Sequence, residues 1–258
     1  MDFGAIIIGD EILSGKRQDK HFARVIESLG SRGLELAWCH YLGDDPALIT
    51  ETLRRSFGSG HAVFSFGGIG ATPDDHTRQC AADAAGVALA LHPDAEAEIR
   101  ARFGAEITPR RLMMGEFPLG SEIIPNPSNR IPGFSLNRHY FLPGFPQMAW
   151  PMMEWVLDTF YRDFFAPGRI GERSIIVRGA GESQLIDVMN RCLERYPALK
   201  VFSLPRMHGD RYVELGVRGD AQQVPTAIVE LQQGVTGLGF QWSEPLAEQK
   251  PPPSQPSP

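Results

Sequence analysis

Residues 3–8 (FGAIII) form an uninterrupted apolar run, and residues 61–66 (HAVFSF) form a second. Residues 34–42 (LELAWCHYL) give a third, less pure one. Runs that are apolar on both faces predict strands buried in a parallel sheet. Between them, apolar positions recur at helical spacing: Phe22, Ile26 and Leu29, then Ile49, Leu53 and Phe57 after Pro46 at a helix start. Strand, helix, strand, helix, strand predicts a doubly wound α/β sheet. A further helix is expected after Asp74, and Pro93 opens another that runs through about Phe103.

The stretch 115–146 is rich in Pro, Gly and Asn and predicts loops around two short strands, about 121–124 and 134–142. Residues 147–165 predict a long apolar helix, interrupted or started by Pro151, whose Met and aromatic stripe reads as core. APGRIGE (166–172) reads as a linker. The strand pattern then restarts at RSIIVRG, and Leu185, Met189, Cys192 and Tyr196 share a helix face. Strands are expected near 199–204 and 211–217, and a helix near 221–233. The expected division is a domain over 1–167, a small α+β domain over 172–240 and a disordered Pro-rich tail over 245–258.

Composition sets limits on function. The 258 residues carry 25 Lys and Arg against 31 Asp and Glu, a formal charge of −6. Without a basic field, nucleic-acid binding is not expected. RGAGES (178–183) is not the GXXG loop of a KH domain. The widely spaced Cys39, Cys80 and Cys192 offer neither zinc spacing nor a disulfide framework, and they fit a reducing compartment. No apolar run is long enough for a membrane span. The N-terminus meets Asp10 and Glu11 too soon to be a signal peptide. A cytoplasmic protein that does not engage membranes is expected.

The most informative segment is FSFGGIGATPDDHT (64–77). A buried strand ends in Gly67, Gly68 and Gly70 before a helix, an arrangement that lets backbone N–H groups approach a phosphate. It is neither the GxGxxG of a dinucleotide fold nor a P-loop. Thr72, Pro73 and Asp75 also read as a capping box with Thr72 as N-cap, so Asp75 is open between capping and chemistry. Two more acidic turns follow the other early strands: Gly9-Asp10-Glu11 and Gly43-Asp44-Asp45. A parallel sheet gathers all three turns at its carboxyl edge, where ligands bind. Carboxylates alone repel a phosphate, and a divalent cation reconciles the two. Lys16 is a candidate to neutralise charge, with an exposed helix lysine the plainer reading, and His76 reads as solvated. Ser14 and Ser65 lack a nucleophile-elbow context.

GDEILSG (9–15), YLGDD (41–45), GGIGATPDDHT (67–77), NPSNRIPGF (126–134) and LPGFP (142–146) together resemble the molybdopterin-binding (MoCF-type) domain. Their order and spacing are most similar to the version in competence/damage-inducible CinA proteins. Similar domains occur in eukaryotic FAD synthases. The resemblance covers about residues 3–165, and residues 172–240 resemble the small subdomain that follows in CinA-like proteins. The amide-hydrolysing C-terminal domain of CinA is not expected, so that activity is not carried over.

The resemblance implies a three-layer α/β/α fold around a mostly parallel sheet. It implies a phosphorylated adenine nucleotide or pterin as ligand, a divalent metal (Mg²⁺, Mn²⁺ or Co²⁺) and a homo-oligomer, dimer or trimer. Gly67, Gly68 and Gly70, with Thr72, would hold phosphate. Asp44 with Asp74 or Asp75 would be catalytic, and Asp44 and Asp75 would hold metal. Asp10, Glu11 and Ser14 would line the first loop, and Pro143 and Gly144 would close the site. There are two departures: Ala71 replaces the proline of GGxGPT, and Met148 stands where LPGxPxEM has an acid. The leading expectation is a metal-dependent pyrophosphatase acting on ADP-ribose- or FAD-like compounds. The alternative is a non-catalytic pterin or nucleotide binder linked to molybdenum cofactor biosynthesis.

Overall fold

A computed structural model describes residues 1–206 and 211–245. The Pro-rich stretch expected to be disordered lies, from residue 246 on, outside the described residues. The chain divides into two compact units, one from Met1 to Phe165 and one from Ala166 onward.

In the first unit the order is β1 (Phe3–Ile8), α1 (Asp10–Leu13), α2 (His21–Gly30), β2 (Leu36–Leu42), α3 (Pro46–Phe57), β3 (Ala62–Phe66), α4 (Thr77–Ala85), β4 (Leu89–Leu91) and α5 (Pro93–Phe103). It continues with α6 (Pro109–Leu112), β5 (Glu116–Pro118), β6 (Glu122–Ile124), β7 (Gly133–Leu136), β8 (His139–Leu142) and α7 (Pro146–Phe160). Six strands form one sheet in the order β2-β1-β3-β8-β7-β6. The first four run parallel, and β7 and β6 are antiparallel to their neighbours. Side chains alternate across each strand. Phe3, Ile7, Phe64 and Phe66 therefore meet Val25 and Leu29 of α2 and Met152, Met153 and Val156 of α7. Ile6, Ile8 and Val63 point the other way, to Ile49 and Leu53 of α3, Cys80 of α4 and Ala95 of α5. Two apolar cores on opposite faces make the fold three-layered α/β/α.

The structure corrects several expectations. Phe22 and Ile26 are exposed on α2, and Val25 and Leu29 make its core face. Leu29 is buried as expected, and Val25 takes the place in the core that the spacing gave to Ile26. The predicted strand at 134–142 is a hairpin, β7 and β8, turned by Asn137 and Arg138, both at positive φ. The helix expected to be interrupted or started by Pro151 starts at Pro146 and contains Pro151. Proline is best tolerated in the first turn, where its missing N–H is not needed. The short pair β4 and β5 was not anticipated.

The second unit runs β9 (Ile170–Arg178), α8 (Glu182–Arg195), β10 (Lys200–Arg206), β11 (Tyr212–Asp220), α9 (Val224–Gly237) and β12 (Gln241–Ser243). Its antiparallel sheet has the order β10-β11-β9-β12, with a core of Ile175, Val177, Leu215, Leu185, Val188 and Leu231. The last three residues of the expected linker already belong to β9. No helix among the described residues is long and apolar enough to cross a membrane, and the three cysteines are unbonded.

One core group has a clear pH signature. His139 on β8 is fully buried; its Nδ1–H donates to the Asn137 carbonyl (3.0 Å), and its Nε2 lies 2.8 Å from the Ser56 hydroxyl. Burial lowers its pKa to about 4, against about 6.5 for a free histidine. Between these values the unfolded chain binds a proton that the folded chain refuses, so stability falls as pH drops from about 6.5 to 4, by up to about 3 kcal/mol. Denaturant titrations across this range are expected to show a shallower acid loss for His139→Gln than for wild type. Parallel curves would show that His139 does not contribute.

Candidate functional site

The site follows from strand pairing. β1 pairs in parallel with β2 on one side and β3 on the other, so Ile8 lies opposite Leu42 and Ile7 opposite Phe66. The three turns that leave these strands meet at one sheet edge, at the topological switch point. They wall a pocket of about 400 Å³.

The first two turns are tied together by their acids. The Asp10 N–H donates to Asp44 Oδ2 (2.9 Å), and the Asp44 N–H donates to Asp10 Oδ1 (3.2 Å). Asp45 is used elsewhere: it caps α3 by accepting from Ala47 and Leu48 N–H at 2.8 and 3.2 Å. Asp44 and Glu11 line the pocket. Asp10 is not among the lining residues and acts through Asp44, and exposed Ser14 also lies outside the lining. Burial, together with the Asp10, Glu11 and Asp74 carboxylates, raises the Asp44 pKa, against the favourable Asp10 N–H.

The third turn is the glycine segment. Gly67 and Gly68 adopt φ of +103° and +68°, values that favour glycine. A Cβ on Gly67 would collide with the Ile8 carbonyl, and one on Gly68 with the Thr77 hydroxyl. Three of the loop's carbonyls, those of Gly67, Gly68 and Gly70, are bound by Thr77 and Arg78. Thr77 is fully buried; its hydroxyl donates to the Gly67 carbonyl (3.0 Å) and its N–H to that of Gly68 (2.9 Å). Arg78, 1% exposed, donates to the carbonyls of Gly70 (2.8 Å), Met113 and Glu116. The N–H groups of Gly68, Ile69, Gly70 and Ala71 find no acceptor among the described residues, and all four residues line the pocket.

The expected capping box is not a helix cap. α4 begins at Thr77, two residues past Asp75. The Asp75 carboxylate reaches back to the Thr72 N–H (2.8 Å) and hydroxyl, closing a turn that lines the pocket. Only half of the Thr-x-x-Asp pairing read from the sequence is present, because the Asp75 N–H donates to the Thr72 carbonyl and not to its hydroxyl, and Asp74 and Asp75 line the pocket.

The remaining wall comes from the 126–134 and 142–146 motifs. Asn126 is buried; its Oδ1 accepts the Ser128 N–H and its Nδ2 donates to the Ile131 carbonyl, both at 3.0 Å. Arg130, at φ +64°, ties this loop to α5 through Glu98 at 2.9 Å. Pro143 and Gly144 leave β8, the parallel neighbour of β3, and so stand directly beside the glycine turn, where a Cβ on Gly144 would lie 3.5 Å from Gly67 Cα. The Gly144 carbonyl accepts from His21 Nε2 (3.1 Å), whose ring stacks on Phe66 at 4.4 Å. Burial lowers the His21 pKa. Met148 lines the pocket and accepts from Asn129 Nδ2 at 3.4 Å. Met114, Ile131, Pro132 and Phe145 make this side apolar, suited to a planar ring. Sequence reasoning singled out neither Met114 nor Phe145 nor Arg17 as site residues, because none carries a signal until the fold places it.

The donors present test the expected cation. Among the described residues, no three His, Cys, Asp or Glu side chains converge as a closed metal site. An ion of the Mg²⁺ type needs only one or two carboxylates and completes its shell with phosphate oxygens and water. Asp44, crowded by other carboxylates beside a phosphate-sized cradle, fits that kind of ion and not a structural zinc.

Residues 4–162 match the family described as "Probable molybdopterin binding domain". A CinA-like protein of Syntrophotalea carbinolica is 32% identical over 193 residues, which cover 72% of this chain and 47% of that protein. This chain spans about half the length of that CinA-like relative. A protein of Caldivirga maquilingensis is 31% identical over 196 residues, covering 73% of this chain and 75% of that one. The crystal structure of the protein CinA, of unknown function, from Thermoplasma acidophilum superposes with a TM-score of 0.56 at 28% identity, covering 61% of this chain and 98% of that one. The likeness thus extends from sequence motifs to the arrangement of strands around the pocket, and the chain belongs to the molybdopterin binding domain family, with CinA-like proteins among its relatives.

Proposed function

We propose that the first unit binds a phosphorylated adenine nucleotide or pterin and hydrolyses a pyrophosphate bond in ADP-ribose- or FAD-like compounds. The observation that carries this reading is the row of open N–H groups from Gly68 to Ala71 beside Asp44, Asp74 and Asp75. Amide donors bind phosphate without a counter-charge of their own. A divalent cation (Mg²⁺, Mn²⁺ or Co²⁺), when bound, would neutralise phosphate oxygens and stabilise charge developing at phosphorus. Asp44 and Asp75 would hold it. Asp74 would orient the attacking water, and the apolar wall of Met114, Ile131 and Phe145 would take the ring. A dimer or trimer belongs to the same reading, through the family resemblance.

A second reading, binding without turnover in molybdenum cofactor handling, is favoured by Met148. Its thioether stands at the pocket wall where the related motif has a carboxylate, and it offers no strong donor to a hard cation.

Asp75→Asn separates the two readings, because an amide oxygen can still accept from Thr72 and keep the turn. Wild type is expected to release AMP from ADP-ribose or FAD only with added Mg²⁺, Mn²⁺ or Co²⁺, read by chromatography and mass spectrometry. The variant should lose this by about a hundredfold or more at an unchanged melting temperature. No AMP from wild type, with saturable nucleotide or pterin binding, would favour the second reading. A strongly lowered melting temperature would make Asp75 a structural residue.

Gly68→Val tests the cradle. The added Cβ strikes Thr77 and the backbone cannot keep φ +68°, so the substitution acts by displacing the open amides, not by filling the ligand space. Calorimetric affinity for nucleotide is expected to fall about tenfold or more, the loss of charge-assisted hydrogen bonds. Unchanged affinity would sink the phosphate-cradle idea.

A further inference from the structure

Arg17 is the only basic residue that lines the pocket among the described residues, where it joins Glu11, Asp44, Asp74 and Asp75. Its position is set by the backbone. Gly15, at φ +72°, turns the chain back after α1, and the Arg17 N–H donates to the Glu11 carbonyl at 3.0 Å. Its neighbour Lys16, the sequence candidate for neutralising charge, is not a lining residue.

The guanidinium makes no hydrogen bond or ion pair with any described residue. Arg24 and Arg32 bind Glu154, Arg100 binds Glu96 and Arg130 binds Glu98, whereas Arg17, like Arg110, Arg138 and Arg162, has no such bond and differs from those three in lining the pocket. An arginine held beside carboxylates but bonded to none keeps its planar fork of donors available, and that fork matches a phosphate.

The two anion-binding features belong to different walls. The open amides follow β3, whereas Arg17 follows β1 and α1. A single phosphate in the cradle is served by the amides. A second phosphate of the same ligand needs another donor, because Glu11, Asp44, Asp74 and Asp75 on the pocket lining repel it. We propose that Arg17 binds the second phosphate of a diphosphate ligand, and so selects diphosphates over monophosphates. This inference rests on the nucleotide-binding reading above.

The test is calorimetric binding of ADP and AMP to wild type, Arg17→Ala and Arg17→Lys, at fixed ionic strength, with Mg²⁺ and with a chelator. Arg17 is exposed, so the variants should keep the wild-type melting temperature. Wild type should bind ADP more tightly than AMP. Arg17→Ala should weaken ADP about tenfold or more, as expected for a lost charged hydrogen bond. It should leave AMP within about threefold. Arg17→Lys should recover part of the ADP affinity, since charge returns without the fork. Equal losses for both nucleotides would move Arg17 to the first phosphate and overturn the proposal. Unchanged ADP affinity would overturn it while leaving the pocket reading intact. Binding of neither nucleotide by wild type would overturn both.

Discussion

The pocket depends on how the glycine turn separates its acceptors from its donors. A tight backbone loop ordinarily offers carbonyls and N–H groups alike, and carbonyls facing a phosphate would repel it. Here the carbonyls of Gly67, Gly68 and Gly70 are bound by Thr77 and Arg78. Both side chains are buried, so these bonds do not exchange with water. The N–H groups of the same stretch are left for the ligand space. Arg78 puts a charge where only a well-bonded one is tolerated, and its three carbonyl partners come from the loop and from the 113–116 segment. The cradle is therefore held in shape before any ligand arrives.

Parallel pairing supplies the rest. With β1 between β2 and β3, three turns that are distant in sequence must end side by side. Acidic residues in those turns then crowd one another. Asp10 and Asp44 offset part of that cost by each accepting the other's N–H. What remains is a net negative wall against an amide cradle; burial first, and then the Asp10, Glu11 and Asp74 carboxylates, raise the Asp44 pKa. Such a pocket holds an anion well only when positive charge is added, from an ion, from Arg17 or from both.

Much of this was legible in the sequence because it is local or periodic. The strands at 3–8 and 62–66 are runs of apolar residues, and the helices after Pro46 and Pro93 are announced by proline at the first position. The three acidic or glycine turns could be placed on one edge because parallel topology leaves no other choice. What escaped depends on tertiary contact. Phe22 and Ile26 have the spacing of a core stripe with Leu29, yet the contacts of α2 with the sheet and α7 bury Leu29 with Val25 and leave the other two exposed. Thr72 and Asp75 make one of the two bonds of a capping box, but on a turn that precedes α4, and the bonds of Thr77 and Arg78 to the glycine-turn carbonyls have no sequence pattern. Arg17 carried no signal beside Lys16 until the turn at Gly15 was known.

Met148, another lining residue, bears on the same balance. A carboxylate at this position would add one more negative charge to a pocket that already has Glu11, Asp44, Asp74 and Asp75. A thioether removes that charge and adds a soft apolar surface beside Ile131 and Phe145. It also accepts the Asn129 amide, which fixes the 126–134 loop against α7. On the proposed reading, the exchange would weaken the site as a holder of hard cations and suit it better to an anion with a flat apolar end. On that reading, the thioether here and the arginine on the first turn act in one direction, because each makes the pocket less negative toward a phosphorylated ligand.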